Sequence, residues 1–310
     1  MASTPSGGPA GNSPSRGGLR SLRPKRREPS PAEPAERAAS PSGARGTMET
    51  VVIDGVSRTF SGPDGNIAAL EKTSIIASSG EFVTFLGPSG CGKSTLFNIV
   101  AGLLPATTGK VYIDGRDVTG QTGHVSYMLQ RDLLFPWRKV IDNVIVGLEA
   151  IGEPKAEARR KARELLQHFG LGAFENVYPQ QMSGGMRQRA AFIRTMLFPR
   201  DVLLLDEPLG ALDAQTRLIM QEWLLEIWSE QKKTVLFITH DVDEAVFLSD
   251  RVCVMSARPG RIINDVKIDL PRPRTAEIRT SPAYFDIRSA LLRDIHGESL
   301  KAFNEGAGQQ

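Results

Sequence analysis

A glycine-rich stretch that contains one lysine and two hydroxyl side chains near its end could bind phosphate. It matches the pattern G-x-x-x-x-G-K-[ST], in which glycines let backbone N–H groups turn toward an anion. Its residues are Gly87, Pro88, Ser89, Gly90, Cys91, Gly92, Lys93, Ser94 and Thr95. We expect Lys93 to reach the β- and γ-phosphates of a nucleoside triphosphate and Ser94 to place its hydroxyl on Mg²⁺. A purely structural glycine turn would not explain the lysine and the serine together.

An apolar run that ends in two carboxylates forms a second candidate site. Residues 202–205 are Val-Leu-Leu-Leu, and Asp206 and Glu207 follow them. If the run is a strand of a parallel sheet, Asp206 lies at the carboxyl edge beside the phosphate loop, where it would hold Mg²⁺ through water. Glu207 is then a candidate base that orients and deprotonates the attacking water. The two motifs together predict hydrolysis of a nucleoside triphosphate rather than binding alone.

Alternating strands and helices must position these motifs. Strands are predicted at residues 51–56, 73–77, 82–86, 111–114, 125–129, 202–206 and 235–239. Helices are predicted at residues 93–101, 155–169, 215–230 and 242–248. Strands that alternate with helices predict an α/β fold with a parallel sheet covered on both faces.

Composition excludes several classes of protein. The chain has 310 residues, of which 40% are hydrophobic and 24% charged, as in an ordinary globular protein. No run approaches the roughly 20 apolar residues that cross a bilayer. Two cysteines exclude a disulfide scaffold, and four scattered histidines predict no metal cluster. We expect the helix N-terminus to lower the pKa of Cys91, whereas Cys253 in an apolar strand should be inert.

The first 48 residues differ from the rest of the chain. They contain eight Lys or Arg, three Glu, eight Pro and no Val, Ile, Phe, Tyr or Trp, so we expect a disordered, solvated tail. Its basic cluster at residues 23–27 leaves open a patch for an anionic surface or nucleic acid. The predicted organisation is therefore a tail at 1–48, a nucleotide-binding domain at 49–270 and a helical extension at 271–310.

A third motif carries a resemblance to one family. Ser183 is a suitable helix N-cap, and the residues that follow it lie about 20 positions before the Asp-Glu pair. The motif is Ser183-Gly184-Gly185-Met186-Arg187-Gln188-Arg189, preceded by Met182 where the family usually has Leu. It resembles the signature of the nucleotide-binding subunits of ABC transporters. The resemblance implies a P-loop NTPase (RecA-like) core, an N-terminal antiparallel β subdomain and an inserted α-helical subdomain at about 131–200.

The resemblance also implies roles for residues outside the two first motifs. Gln130 would link Mg²⁺ and water to a membrane partner, and His240 would contact the γ-phosphate. Ser183, Gly184 and Gly185 would bind the γ-phosphate held by a second protomer, and Asp213 would lie in the loop that crosses the dimer interface. Phe60 is placed to stack on the adenine of ATP, with a position in the hydrophobic core as the alternative.

The segment that begins at Gln130 resembles one group within the ABC transporter family. Residues 130–137, followed by Val-Ile-Asp-Asn-Val at 140–144, are similar to the ATPases of nitrate, sulfonate and taurine importers. The implied partners are a second copy of the chain, membrane permease subunits that dock at 130–137 and, indirectly, a solute-binding protein, with the chain peripheral on the cytoplasmic face of the membrane. Leu134 and Trp137 would line the docking groove or belong to the core.

Two other functions are compatible with part of the sequence. A soluble ABC-type ATPase acting on nucleic acid or ribosomes is suggested only by the basic tail, and such proteins usually have two cassettes or long coiled-coil insertions. A P-loop kinase is disfavoured by Ser183, Gly184, Gly185 and His240. No nucleic-acid partner is expected.

Overall fold

A computed structural model describes residues 49–63 and 65–307 of the chain. The predicted tail at 1–48 lies outside these residues. Strands in the described part are β1 (Glu49–Gly62), β2 (Gly65–Ser78), β3 (Phe82–Leu86), β4 (Thr108–Ile113), β5 (Arg116–Asp117), β6 (Ser126–Met128), β7 (Val202–Asp206), β8 (Thr234–Thr239), β9 (Arg251–Met255) and β10 (Ile262–Lys267). Helices are α1 (Lys93–Val100), α2 (Val140–Val144), α3 (Val146–Ala150), α4 (Lys155–His168), α5 (Gly184–Leu197), α6 (Ala214–Gln231), α7 (Val242–Leu248) and α8 (Pro282–Ala307).

The strands form two sheets. The first is antiparallel, with the order β2-β1-β4-β5. The second has the order β10-β9-β3-β8-β7-β6 and is parallel except for the edge strand β10. The predicted α/β core and the implied antiparallel subdomain are therefore confirmed. Parallel strands have their carboxyl ends at one edge, so the segments after β3, β6, β7 and β8 converge there.

The parallel sheet is buried on both faces because its strand residues alternate between two apolar clusters. Phe82 and Leu86 of β3 pack with the helices from α2 to α8, whereas Val83 and Phe85 pack with α1 and the antiparallel sheet. Strands buried on both faces consist of continuous apolar runs, which is why β7 is apolar from 202 to 205 and β8 from 235 to 238.

All predicted strands and helices are present, with different bounds at some ends. The largest difference is in β1 and β2, which form a hairpin that pairs as far as Gly62 and Gly65. Most residues toward the tip of this hairpin are exposed, so the apolar pattern that predicted the strands ends before the backbone pairing does.

Helices α2 to α5 form the inserted helical part, between β6 and β7. After β10, a 3-10 turn (Ala276–Thr280) leads into α8, which packs on α7. Tyr284 and Leu291 of α8 are buried in the same apolar cluster as α7, and the Tyr284 hydroxyl donates to the Asp243 carbonyl oxygen at 3.1 Å. Within the described residues, no helix has both the length and the apolar content needed to span a bilayer.

Candidate functional site

The phosphate loop joins the end of β3 to the start of α1, as the mechanism requires. Gly92 is the N-cap of α1 and has a φ of 107°, and a β-carbon there would lie 2.6 Å from the carbonyl oxygen of Ala69. Only glycine fits this position. Lys93 is 5% exposed, and its ammonium donates to the carbonyl oxygens of Gly87 and Pro88 at 2.8 Å each. The Lys93 ammonium thus lies against the phosphate loop, where it is predicted to contact phosphate oxygens.

Gly260, in the segment after β9, packs against the backbone of the phosphate loop. Gly260 donates to the carbonyl oxygen of Ala69 at 3.1 Å and accepts from the N–H of Glu71 at 2.9 Å, which ties it to β2. A β-carbon at Gly260 would lie 1.9 Å from the carbonyl oxygen of Cys91, so the backbone approaches the loop more closely than any other residue type allows. The antiparallel sheet therefore helps to fix the shape of the phosphate loop.

The expectation for Cys91 is wrong. Its side chain points into the apolar cluster behind the loop and is 1% exposed, so burial raises the pKa of the Cys91 thiol despite the nearby positive charge of Lys93. Desolvation of the thiolate outweighs the charge of Lys93 and the hydrogen bonds that would lower this pKa. Cys253 is buried in β9, and burial also raises its pKa, in agreement with the prediction that it is inert.

Asp206 lies at the carboxyl end of β7 and is 2% exposed. Burial raises the pKa of its carboxyl group, and the charge of Glu207 raises it further, whereas the Ser94 hydroxyl and the charge of Lys93 lower it. The Tyr127 hydroxyl of β6 is also beside this carboxylate, and burial raises the pKa of Tyr127, which keeps it protonated. One oxygen, Oδ1 of Asp206, is buried without a hydrogen-bond partner. A buried carboxylate oxygen without a donor fits a site for a cation.

The three residues predicted to be catalytic, Gln130, Glu207 and His240, are in contact in the structure. Its Oε2 accepts from Nε2 of Gln130 at 3.2 Å, and its Oε1 lies 3.4 Å from Nδ1 of His240. Glu207 has a φ of 46°, a left-handed conformation that costs a residue with a side chain about 1–2 kcal/mol. Its N–H donates to the carbonyl oxygen of Ile238 in β8 at 3.0 Å. Contacts from the ends of β6 and β8, the two strands on either side of β7, thus hold Glu207 in place.

A cavity of about 280 Å³ lies in front of these residues. It is lined by the phosphate loop together with Phe60, Gln130, Glu207 and Arg258. Phe60 is 38% exposed, so its alternative position in the core is wrong. The guanidinium of Arg58 lies 4.5 Å from the centroid of the Phe60 ring. The lining of the cavity therefore includes both an aromatic ring and the Glu207 carboxylate.

The signature residues lie outside this cavity. Ser183 is the N-cap of α5 and accepts from the N–H of Met186 at 3.3 Å, and both Ser183 and Gly184 are exposed. Asp213 is likewise exposed at the N-cap of α6, where hydrogen bonds from Thr216 lower its pKa. A single chain does not bring these residues to its own phosphate loop, which is the arrangement expected if they act on a second protomer.

The segment after Gln130 divides between core and surface. Leu134 is buried and packs in the apolar cluster of the helical part, because the chain turns at Leu133, which has a φ of 44°. It also lines a cavity together with Gln130 and Gly184, so its place in a docking groove stays a prediction. Trp137 is 71% exposed, so the core alternative is wrong for this residue, and its ring stacks on that of Phe135 with centroids 5.3 Å apart.

Sequence reasoning missed three residues of the site. Tyr127 lies within a predicted strand and Arg258 within a loop after one, so nothing in their spacing indicated that they face the cavity or Asp206. Gln188 is part of the signature motif, but its partners, Glu207 and Ala211, belong to another segment. Only its position on the same helix face as Gly185, three residues earlier, could have indicated a contact there.

Comparison with known proteins agrees with this site. Residues 70–210 match the family model described as ABC transporter. An uncharacterised ABC transporter ATP-binding protein of Methanocaldococcus jannaschii is 46% identical over 250 residues, covering 81% of this chain and 92% of the relative. An aliphatic sulfonates import ATP-binding protein of Bacillus cereus is 43% identical over 251 residues, covering 81% of this chain and 98% of the relative.

Solved structures give the same result. The dimeric structure of a bacterial ABC transporter cassette superposes with a TM-score of 0.66 at 29% identity, covering 71% of this chain and all of the other. A dimeric post-hydrolysis state of that cassette bound to ADP and Pi gives a TM-score of 0.66 at 30% identity, with the same coverage.

The fold and the site together define a P-loop nucleoside triphosphatase. The phosphate loop lies at the edge of a parallel sheet, beside the buried Asp206 and beside Glu207, which is placed to act as a base. With the signature motif and these relatives, the chain belongs to the ATP-binding proteins of ABC transporters. It has the ABC cassette fold and is the ATP-binding, ATP-hydrolysing subunit of such a transporter.

Proposed function

We propose that this chain is the motor subunit of an ABC importer for a small solute such as nitrate, a sulfonate or taurine. The observation that carries the proposal is that Gln130 and His240 both contact Glu207, and that Gln130 and Glu207 line the cavity at the phosphate loop. Relatives at 41–43% identity are named aliphatic sulfonates import ATP-binding proteins, which supports an importer of this solute class.

ATP binds in the cavity between Phe60 and Glu207. Backbone N–H groups of residues 87–95 and the N-terminus of α1 surround the phosphates, and Lys93 releases its two carbonyl partners to contact the β- and γ-phosphates. The adenine ring stacks on Phe60, whose exposed ring lines the same cavity. The buried position of Lys93 keeps its charge close to the phosphates.

The residues present fit Mg²⁺. Ser94 and Asp206 supply a hydroxyl and a carboxylate, and Gln130 supplies an amide oxygen, all of which are hard donors that Mg²⁺ prefers. When bound, the ion neutralises charge on the phosphates.

Glu207 activates the water that attacks ATP. Its carboxylate accepts a proton from water while the water oxygen bonds to the γ-phosphorus, and the bond from that phosphorus to the β–γ bridging oxygen breaks to release ADP. Gln130 and His240 contact opposite carboxylate oxygens and fix the direction in which Glu207 accepts the proton. In this arrangement His240 also reaches the γ-phosphate.

A homodimer encloses two ATP molecules. Ser183, Gly184 and Gly185 of each protomer cover the γ-phosphate bound by the other, and Asp213 lies at the interface. The exposure of Ser183, Gly184 and Asp213 supports this arrangement, as does the dimeric form of the similar cassette. A helix N-terminus with two glycines is suited to bind a phosphate that a second chain presents.

The permease docks on the segment 130–137, which places the chain peripherally on the cytoplasmic face of the membrane. The exposed pair Phe135 and Trp137 provides an aromatic anchor, and Gln130 at the start of the segment contacts Glu207. Displacement of the segment by the permease therefore moves a group of the active site. A solute-binding protein acts on the other side of the membrane without touching this chain.

Reconstitution tests the proposal. The chain is assembled in proteoliposomes with a candidate permease and solute-binding protein, and ATP hydrolysis is measured with nitrate, an alkanesulfonate or taurine outside. Stimulation by one of the three solutes is expected. Hydrolysis that none of them stimulates would overturn the solute class while leaving the ATPase in place.

A further inference from the structure

The side chain of Gln188 connects the signature helix α5 to the active site of its own chain. Its Nε2 donates to the carbonyl oxygen of Glu207 at 3.0 Å, and its Oε1 accepts from the N–H of Ala211 at 2.9 Å. The two partners fix the orientation of the amide, because a carbonyl requires the NH₂ group and an N–H requires the oxygen. Gln188 is 6% exposed, so water does not compete for either bond.

These bonds act on the most constrained backbone of the site. Glu207 has a positive φ, and such a conformation persists only where the surroundings determine it. Its N–H is held by Ile238 of β8, and its carbonyl oxygen accepts from Gln188 and, at 3.2 Å, from the N–H of Gly210. Of these contacts, the one from Gln188 comes from the helical part of the chain rather than from the parallel sheet or the loop after β7.

The same helix face makes a second contact. Gly185 lies three residues before Gln188, and a β-carbon at Gly185 would lie 3.1 Å from Cδ2 of Leu212 and 3.7 Å from the carbonyl oxygen of Ala211. The first two turns of α5 therefore rest on residues 207–212. A movement of the Ser183 end of α5 is transmitted to the main chain of Glu207 through these contacts.

We propose that Gln188 is a positioning residue that couples the signature motif to Glu207. Gln188 holds the main chain of Glu207 in the conformation that directs the carboxylate toward the attacking water. It does so when the N-terminus of α5 binds the nucleotide of a partner protomer. The inference rests on the proposed role of Glu207 as the base. It predicts that loss of the amide lowers the rate of hydrolysis and leaves ATP binding intact, because Gln188 does not line the cavity at the phosphate loop.

The test is the change Gln188→Met, which keeps the length of the side chain and removes both hydrogen bonds. We expect kcat to fall about tenfold and KM for ATP to stay within about twofold, since the interaction acts on the reacting geometry alone. The matched control is Gln221→Met: Gln221 is also buried, but it accepts from Arg279 away from the cavity. Its kcat should remain that of the wild type, whatever the change in melting temperature.

A double-mutant cycle separates positioning from a general loss of structure. In single-turnover hydrolysis, Gln188→Met should cost less than about twofold in a Glu207→Gln background, because the group that it positions is already inactive. An equal loss in both backgrounds, or a wild-type kcat for Gln188→Met, would overturn the proposal. Wild-type hydrolysis by Glu207→Gln alone would instead overturn the role of Glu207.

A second variant guards against misfolding. Gln188→Glu keeps the acceptor for the N–H of Ala211 and places an oxygen against the carbonyl oxygen of Glu207. If Gln188→Met does not fold, Gln188→Glu should show the loss of kcat with KM unchanged. A folded Gln188→Glu protein with wild-type kcat would contradict the coupling.

Discussion

The side-chain amide of Gln130 donates to the carboxylate of Glu207 at 3.2 Å, although 77 residues separate the two in the chain. Gln130 follows β6 and Glu207 follows β7, and these neighbouring parallel strands end at the same edge of the sheet. The bond joins the segment proposed to contact a permease to the residue proposed to activate water. If a permease docks on this segment as proposed, its movement would act on Glu207 through this one hydrogen bond.

Lys93→Ala should abolish most ATP binding, because the backbone N–H groups of the loop cannot by themselves neutralise the phosphate charge. We expect an affinity loss of about 100-fold or more, consistent with the removal of a charged contact in a desolvated site. Binding is measured by calorimetry with MgATP. The control Lys72→Ala removes an exposed lysine of β2 and should bind normally. Wild-type affinity in Lys93→Ala would disprove the placement of the phosphates.

The raised pKa of Asp206 predicts a pH dependence. Because burial disfavours its charged form, Asp206 destabilises the nucleotide-free fold above its folded pKa, and this penalty is lost as the pH falls through that pKa. Asp206→Asn should therefore raise the melting temperature at pH 7 by about 2–4 °C. The difference from the wild type should shrink on acidification, and the variant should lose the effect of Mg²⁺ on nucleotide affinity. An unchanged difference across the pH range would show that Asp206 is not buried in its charged form.

Trp137→Ala and Leu134→Ala form a matched pair in the proposed docking segment. Trp137 is exposed, so its loss should change the free energy of unfolding by less than about 0.5 kcal/mol. It should make the free energy of binding to the permease less favourable by about 2 kcal/mol, so that less permease co-purifies. Leu134 is buried, so its loss should cost about 2–5 kcal/mol of stability in the isolated chain. Denaturant unfolding and a pull-down are measured on both. Undiminished co-purification of Trp137→Ala would remove the aromatic pair from the interface.

Both cysteines should react slowly with an alkylating reagent in the folded chain. Burial raises the pKa of Cys91 and of Cys253, so little thiolate is present or accessible near neutral pH. Mass spectrometry after iodoacetamide treatment should show little modification until guanidinium chloride unfolds the protein. Rapid alkylation of Cys91 in the native chain would mean that its side chain turns toward the phosphates instead of the core.

The sequence predicted those parts of the site whose chemistry is contained in a short stretch. The phosphate loop and the Asp206–Glu207 pair were found because their residue types and their place after an apolar strand are local features. The environments of Cys91 and Leu134 were not predictable, since the direction of each side chain depends on the path of the backbone and on distant packing. Gln188 was missed for the same reason: its partners lie 19 and 23 residues away, beyond β7.

We propose that Glu207 activates water in an ATP-dependent dimer. The variant Glu207→Gln tests this role most directly. Gel filtration and hydrolysis are measured on the same preparation with MgATP. We expect an ATP-dependent dimer whose rate of ATP hydrolysis is lower by about 100-fold or more, because the amide cannot accept the proton of water. The control Glu222→Gln, at an exposed glutamate of α6, should behave as the wild type. A Glu207→Gln protein that stays monomeric with ATP, or that hydrolyses it at the wild-type rate, would contradict the account.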